Sequence, residues 1–70
     1  MDDIYQYLLR VHKGLFKVYW VKYIDWDNGY IEYTKDKHEA GGFEPYERAV
    51  EIAHFLENEP GITEIEIIEW

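Results

Sequence analysis

The sequence predicts an α+β domain. It should hold a small three-stranded antiparallel sheet in the spatial order 2-1-3, a helix over about residues 45–58 packed on one face, and an N-terminal helix. Three observations carry this expectation. Residues 15–26 form the longest run rich in β-branched and aromatic residues, Asn28-Gly29 follows as a strong hairpin signal, and residues 46–56 repeat apolar side chains at helical spacing behind Pro45.

The N-terminal segment Asp2 to Lys13 reads in two ways. Ile4, Leu8 and Val11 recur at helical spacing, Asp2 or Asp3 can cap, and Gly14 stands where a helix would stop. Tyr5, Tyr7, Leu9 and Val11 also alternate, which suits a strand turning at His12-Lys13-Gly14. The agreement of start and stop signals favours the helix.

The stretch from Leu15 to Trp26 is expected to be the central strand. The two-residue period sorts Phe16, Val18, Trp20, Ile24 and Trp26 to one face, and Leu15, Tyr19, Val21 and Tyr23 to the other. The returning strand is Tyr30 to Lys35. A two-residue loop would set Lys22 opposite Lys35 and Asp25 opposite Glu32, whereas a four-residue loop from Trp26 to Gly29 removes both like-charge pairs. Ile31 and Tyr33 should then share a face with Trp20 and Ile24.

Residues 36–42 read as an exposed polar connection. The second helix begins near Pro45, carries Tyr46, Ala49, Val50, Ala53 and Leu56 as its apolar stripe, widened by Ile52 and Phe55, and stops at Pro60-Gly61. In the last strand, Ile62 to Trp70, Ile65 and Ile67 alternate with Glu64 and Glu66. A right-handed strand-helix-strand connection would place it beside the central strand, parallel to the second strand.

Seventy residues make one domain, 1–70, near the lower limit of independent folding. No disulfide can staple it, because there is no cysteine, so three Trp, seven Tyr and three Phe must supply much of the core. No apolar run approaches the roughly 20 residues of a membrane span. The chain opens on Asp2-Asp3 rather than a basic targeting segment. These features predict a soluble cytoplasmic protein without membrane attachment.

The formal charge of -8 is unevenly placed. Residues 1–37 hold six acidic and six basic residues, whereas residues 38–70 hold nine acidic residues against Arg48 alone. Direct nucleic-acid binding is therefore disfavoured, since it needs a cationic footprint. An acidic surface suits a basic protein partner.

Catalysis finds little support. There is no Ser and no Cys, and Thr34 and Thr63 fall in or at strands. Glu51 and His54 have the spacing of a metal-binding pair on one helix, but a carboxylate-bridged di-metal centre draws on more than one such helix. His38-Glu39 lacks a second histidine, and His12 reads as structural. The expectation is no enzyme activity, no cofactor and no metal.

The functional expectation is a non-catalytic acidic protein-binding module, a small inhibitor or regulator of the viral or mobile-element type, acting on a basic partner. Its candidate contacts are Trp26, Glu44, Glu47, Glu51 and Trp70. The alternative is a homo-oligomer that holds a nucleotide or other small ligand on a tyrosine face formed by Lys17, Tyr19, Tyr23 and Tyr30. A homodimer could form through that face or through the last strand's open edge.

Overall fold

The computed structural model describes residues 6–70. Four antiparallel strands form one sheet: β1 (Tyr7–Lys13), β2 (Lys17–Asp25), β3 (Tyr30–Thr34) and β4 (Ile62–Glu69), in the order β3-β2-β1-β4. The single helix α1 (Tyr46–Leu56) packs on one side of it, and a one-turn 3-10 helix covers Lys37–Glu39.

The α+β class, the helix and the hairpin are as expected, but the sheet has four strands rather than three. From Tyr7 onward the expected N-terminal helix is a strand, and its first residues, 1–5, lie outside the described region. The reason is tertiary. Leu8 and Leu9 are adjacent and both buried, and a strand sends neighbours to opposite faces, where each finds cover. β1 pairs with β2 on one side and with β4 on the other, a gain in ladder hydrogen bonds that outweighs local capping signals.

The inserted strand also corrects the topology. β4 pairs with β1 instead of β2, and three successive antiparallel pairings make β4 run opposite to β3, not parallel to it.

The β2–β3 hairpin takes the four-residue turn. Asp25 pairs with Tyr30, Ile24 with Ile31 and Tyr23 with Glu32. Asp25 closes the turn by accepting bonds from the Asp27 and Asn28 backbone N–H groups and from the Asn28 side chain, and Gly29 adopts φ +65.

A bulge at Lys22 then changes the faces. Val21 pairs with Tyr33 while Tyr23 pairs with Glu32, so Lys22 is the extra residue. It lets Val21 and Ile24, three positions apart, both face α1. The helix side therefore carries Tyr19, Val21 and Ile24, while Val18, Trp20 and Tyr23 lie on the other. Trp20 is thus not on the helix face with Ile24 as the simple period predicted, whereas Ile31 and Tyr33 are.

The core under α1 is Leu9, Val11, Val21, Ala49, Ile52 and Leu56, with Tyr7, Phe43, Ile65 and Ile67 packed around it. Each large side chain fully buried here contributes about 1.5–3 kcal/mol, a large share of what stabilises a chain of this size. A smaller apolar layer lies on the opposite side. Leu8 and Trp20 are buried there, and Lys37 Nζ stands 5.7 Å from the Trp20 ring centre and 4.2 Å from that of Trp70.

The connection between these layers fills a gap in the sheet. β1 and β2 pair only as far as Arg10 and Trp20. Beyond that point Gly41 N–H donates to Val21 O at 3.0 Å, and Phe43 and Tyr7 exchange backbone bonds at 3.0 and 2.9 Å. Residues 41–43 thus act as a strap between the diverging strands, with a glycine where the backbones approach most closely. A Cβ on Gly41 would collide with the Lys22 carbonyl oxygen.

Gly41→Ala should consequently lower stability in urea denaturation by about 1–3 kcal/mol, the usual cost of overpacking. An unchanged unfolding midpoint would contradict this placement of the strap.

Candidate interaction surface

α1 begins after a cis Glu44–Pro45 peptide, with Pro45 at the cap and Arg48 N–H bonding to Pro45 O at 2.9 Å. Its 3.6-residue period turns Ala49, Ile52 and Leu56 to the sheet. The same period places Glu47, Glu51 and Phe55 at i, i+4 spacing along another stripe. Glu47 and Glu51 are exposed, and Phe55 meets Trp26 edge-on with ring centres 5.3 Å apart. Trp26 is held in the β2–β3 turn, between Asp25 and Asp27, and stays 45% exposed. An aromatic pair therefore ends a row of carboxylates, with further carboxylates from the turn beside it.

Three of the expected contact residues, Trp26, Glu47 and Glu51, come together in this way. Phe55 joins them, although its spacing alone reads as a widening of the core stripe. Glu44 lies at the other end of α1, where it lines a shallow recess with Tyr7, Pro45 and Tyr46. Trp70 is apart from them all. It continues the β4 face that carries Glu66 and Ile68, and stands against Lys37 and His38.

The expected tyrosine platform is divided by the bulge. Lys17 and Tyr19 lie on the helix-bearing side, where Tyr19 neighbours Tyr33 with ring centres 6.2 Å apart and Lys13 Nζ sits 4.1 Å from the Tyr33 ring centre. Tyr23 and Tyr30, paired with Glu32 and Asp25, face the other way. Burial raises the Tyr33 phenol above its usual pKa, and Glu59 adds to the shift.

The face opposite α1 carries a charged cluster that the sequence did not single out. Register sets Arg10 opposite Glu66 and His12 opposite Glu64. Arg10 donates from Nε and Nη2 to the two Glu66 oxygens at 2.9 and 2.7 Å, and His12 Nε2 lies 2.5 Å from Oε1. His12, Glu64 and Glu66 offer donor atoms within 4.8 Å of one another, a spacing open to a metal ion. Both Glu66 oxygens are already engaged, however, so this carboxylate serves first as the acceptor that ties β1 to β4. The Arg10 hydrogen bonds, followed by that from His12, hold its pKa down to about 2.

The β1–β2 turn exposes Leu15 and Phe16 almost completely, at 89% and 92%. Among the described residues no helix is long and apolar enough to cross a membrane. Compared with known proteins, the chain matches no family model, no curated protein and no solved structure.

Because the folded pKa of Glu66 is depressed, its contribution to stability is full above the ordinary carboxylate range and disappears as pH falls toward about 2. Urea midpoints measured between about pH 6 and pH 2 should fall across that window, and Glu66→Gln should flatten the part of the decline that lies below the ordinary carboxylate pKa. An equally steep decline in the variant would show that this pair does not tie the two strands.

Proposed function

We propose that this chain is a non-catalytic acidic protein-binding module, a small cytoplasmic inhibitor or regulator of the viral or mobile-element type, that engages a basic protein partner. The observation that carries the reading is the Trp26–Phe55 pair at the end of the Glu47–Glu51 stripe. Exposed aromatics concentrate binding energy at interfaces because they bury large area with few rotatable bonds. Surrounding carboxylates steer a cationic surface toward them and penalise anionic competitors. Glu47 and Glu51 form no ion pair within the chain among the described residues, so their charge is available to a partner.

Ligand binding by a homo-oligomer is the second reading. Its remaining support is the Tyr19–Tyr33 pair with Lys13 beside it, since Tyr23 and Tyr30 face away.

Capture on immobilised protein, followed by salt elution and quantitative mass spectrometry, tests the first reading. The wild type should retain a basic protein in a salt-sensitive manner. Trp26→Ala should weaken that retention by at least about thirtyfold, the effect of a 2 kcal/mol hot spot. Glu47→Lys combined with Glu51→Lys should also release it, with circular dichroism confirming that both variants fold. Undiminished capture by both would exclude this surface.

A further inference from the structure

β4 is an edge strand. Its inner side pairs with β1, and among the described residues nothing pairs with its outer side. The Trp70 N–H bonds to Gln6 O at 2.9 Å. By the alternation of an antiparallel ladder, Leu8 with Ile68, Arg10 with Glu66 and His12 with Glu64 are then the hydrogen-bonded pairs. Ile65 and Ile67, between them, turn their N–H and C=O groups to the open edge.

A groove of about 430 Å³ runs beside that edge on the helix-bearing side. Tyr46, Val50 and Ala53 form one wall and Ile65 and Ile67 the other, with His54, Glu57 and Glu64 along its polar margin. Tyr46, Val50 and Ala53 lie on a different stripe from Glu47, Glu51 and Phe55, and His54, seven positions after Glu47, stands where the groove borders the acidic-aromatic surface. Outward-facing backbone groups next to a groove that mixes apolar and acidic side chains are the two elements by which this sheet edge can accept an extended segment.

The side chains define the occupant. Residues of an added strand that point toward α1 would meet Ile65 and Ile67, and must be apolar. Their neighbours would lie on the opposite face with Glu64 and Glu66. Glu66 is held by Arg10 and His12, but Glu64 is exposed and forms no ion pair among the described residues. Two antiparallel registers of a second copy of β4 are disfavoured by the same charges. Antiparallel pairing centred on Ile65 would set Glu64 opposite Glu66 twice, and pairing centred on Glu66 would set that residue opposite itself.

We infer that the β4 edge and its groove take an extended segment of a partner protein, alternating apolar and basic residues, as a fifth strand of the sheet. The inference rests on the protein-binding reading but not on the helix face. Failure at the edge with capture through Trp26 intact would remove this inference alone.

The probe is a synthetic acetylated and amidated peptide, Lys-Val-Lys-Ile-Lys-Val-Lys, titrated into the 15N-labelled chain. Saturable shifts should centre on Ile65 and Ile67, whose amides should become protected from exchange. Of the two forms of the peptide N-methylated at alternate amides, at least one should bind about tenfold more weakly, because several edge hydrogen bonds are lost while charge is unchanged. Glu64→Lys should weaken the lysine peptide by about tenfold and favour the corresponding glutamate peptide. Val50→Lys should fill the groove and reduce binding with the fold intact. No binding, undiminished binding of both N-methylated forms relative to the parent peptide, shifts confined to Glu47 and Glu51, or a dimer that protects the Ile65 amide without peptide would each overturn the inference.

Discussion

Pairing between β1 and β2 ends at Arg10 and Trp20, and the remainder of the structure depends on how the gap beyond is filled. Val21 would otherwise present a carbonyl with no ladder partner, and Tyr7 a whole backbone edge. Gly41 satisfies the first and Phe43 the second. The strap thereby carries the chain from the layer of Trp20, Lys37 and Trp70 to the core beneath α1, where Phe43 packs. It also sets where α1 begins, and so where the Glu47–Glu51–Phe55 stripe lies.

The bulge at Lys22 completes that arrangement. It allows β2 to contribute Val21 and then Ile24 to one core, and it leaves Tyr23 on the other side. The Trp26 turn follows directly, which brings its ring onto Phe55. Without the extra residue, Val21 and Ile24 would face opposite ways and one apolar side chain would lose its cover.

The parts of the fold legible in the sequence are those fixed by local chemistry. Pro45, the apolar spacing through Leu56 and Pro60-Gly61 bound the helix, and like-charge avoidance selects the four-residue turn. The alternation of Ile65 and Ile67 with Glu64 and Glu66 sorts the last strand's faces. The N-terminal segment was misread because Leu8 and Val11 fit a helical period as well as a strand, and only β4's need of a partner decides between them. The strap was illegible because glycines in a polar stretch ordinarily signal an exposed loop. At the interaction surface, Trp26, Glu47 and Glu51 could be read from composition and spacing. Trp70 could not be separated from them without the β1–β4 register. Phe55 counted as core until the turn brought Trp26 against it.

The charge distribution follows the same division. Glu66, from the acidic second half, is neutralised across the sheet by Arg10 from the balanced first half and is also held by His12. Glu47 and Glu51 have no such partner among the described residues and leave α1 with an outward negative field. One part of the acidic excess therefore joins strands, and another remains available for recognition. Amide hydrogen exchange across residues 35–43 tests the central claim most directly. The Gly41 and Phe43 amides should be protected like those of β1, while Asp36 and His38, whose N–H groups bond only to nearby side chains, should exchange rapidly. Rapid exchange at Gly41 and Phe43 with β1 still protected would contradict it, because the strap would then be an ordinary surface loop.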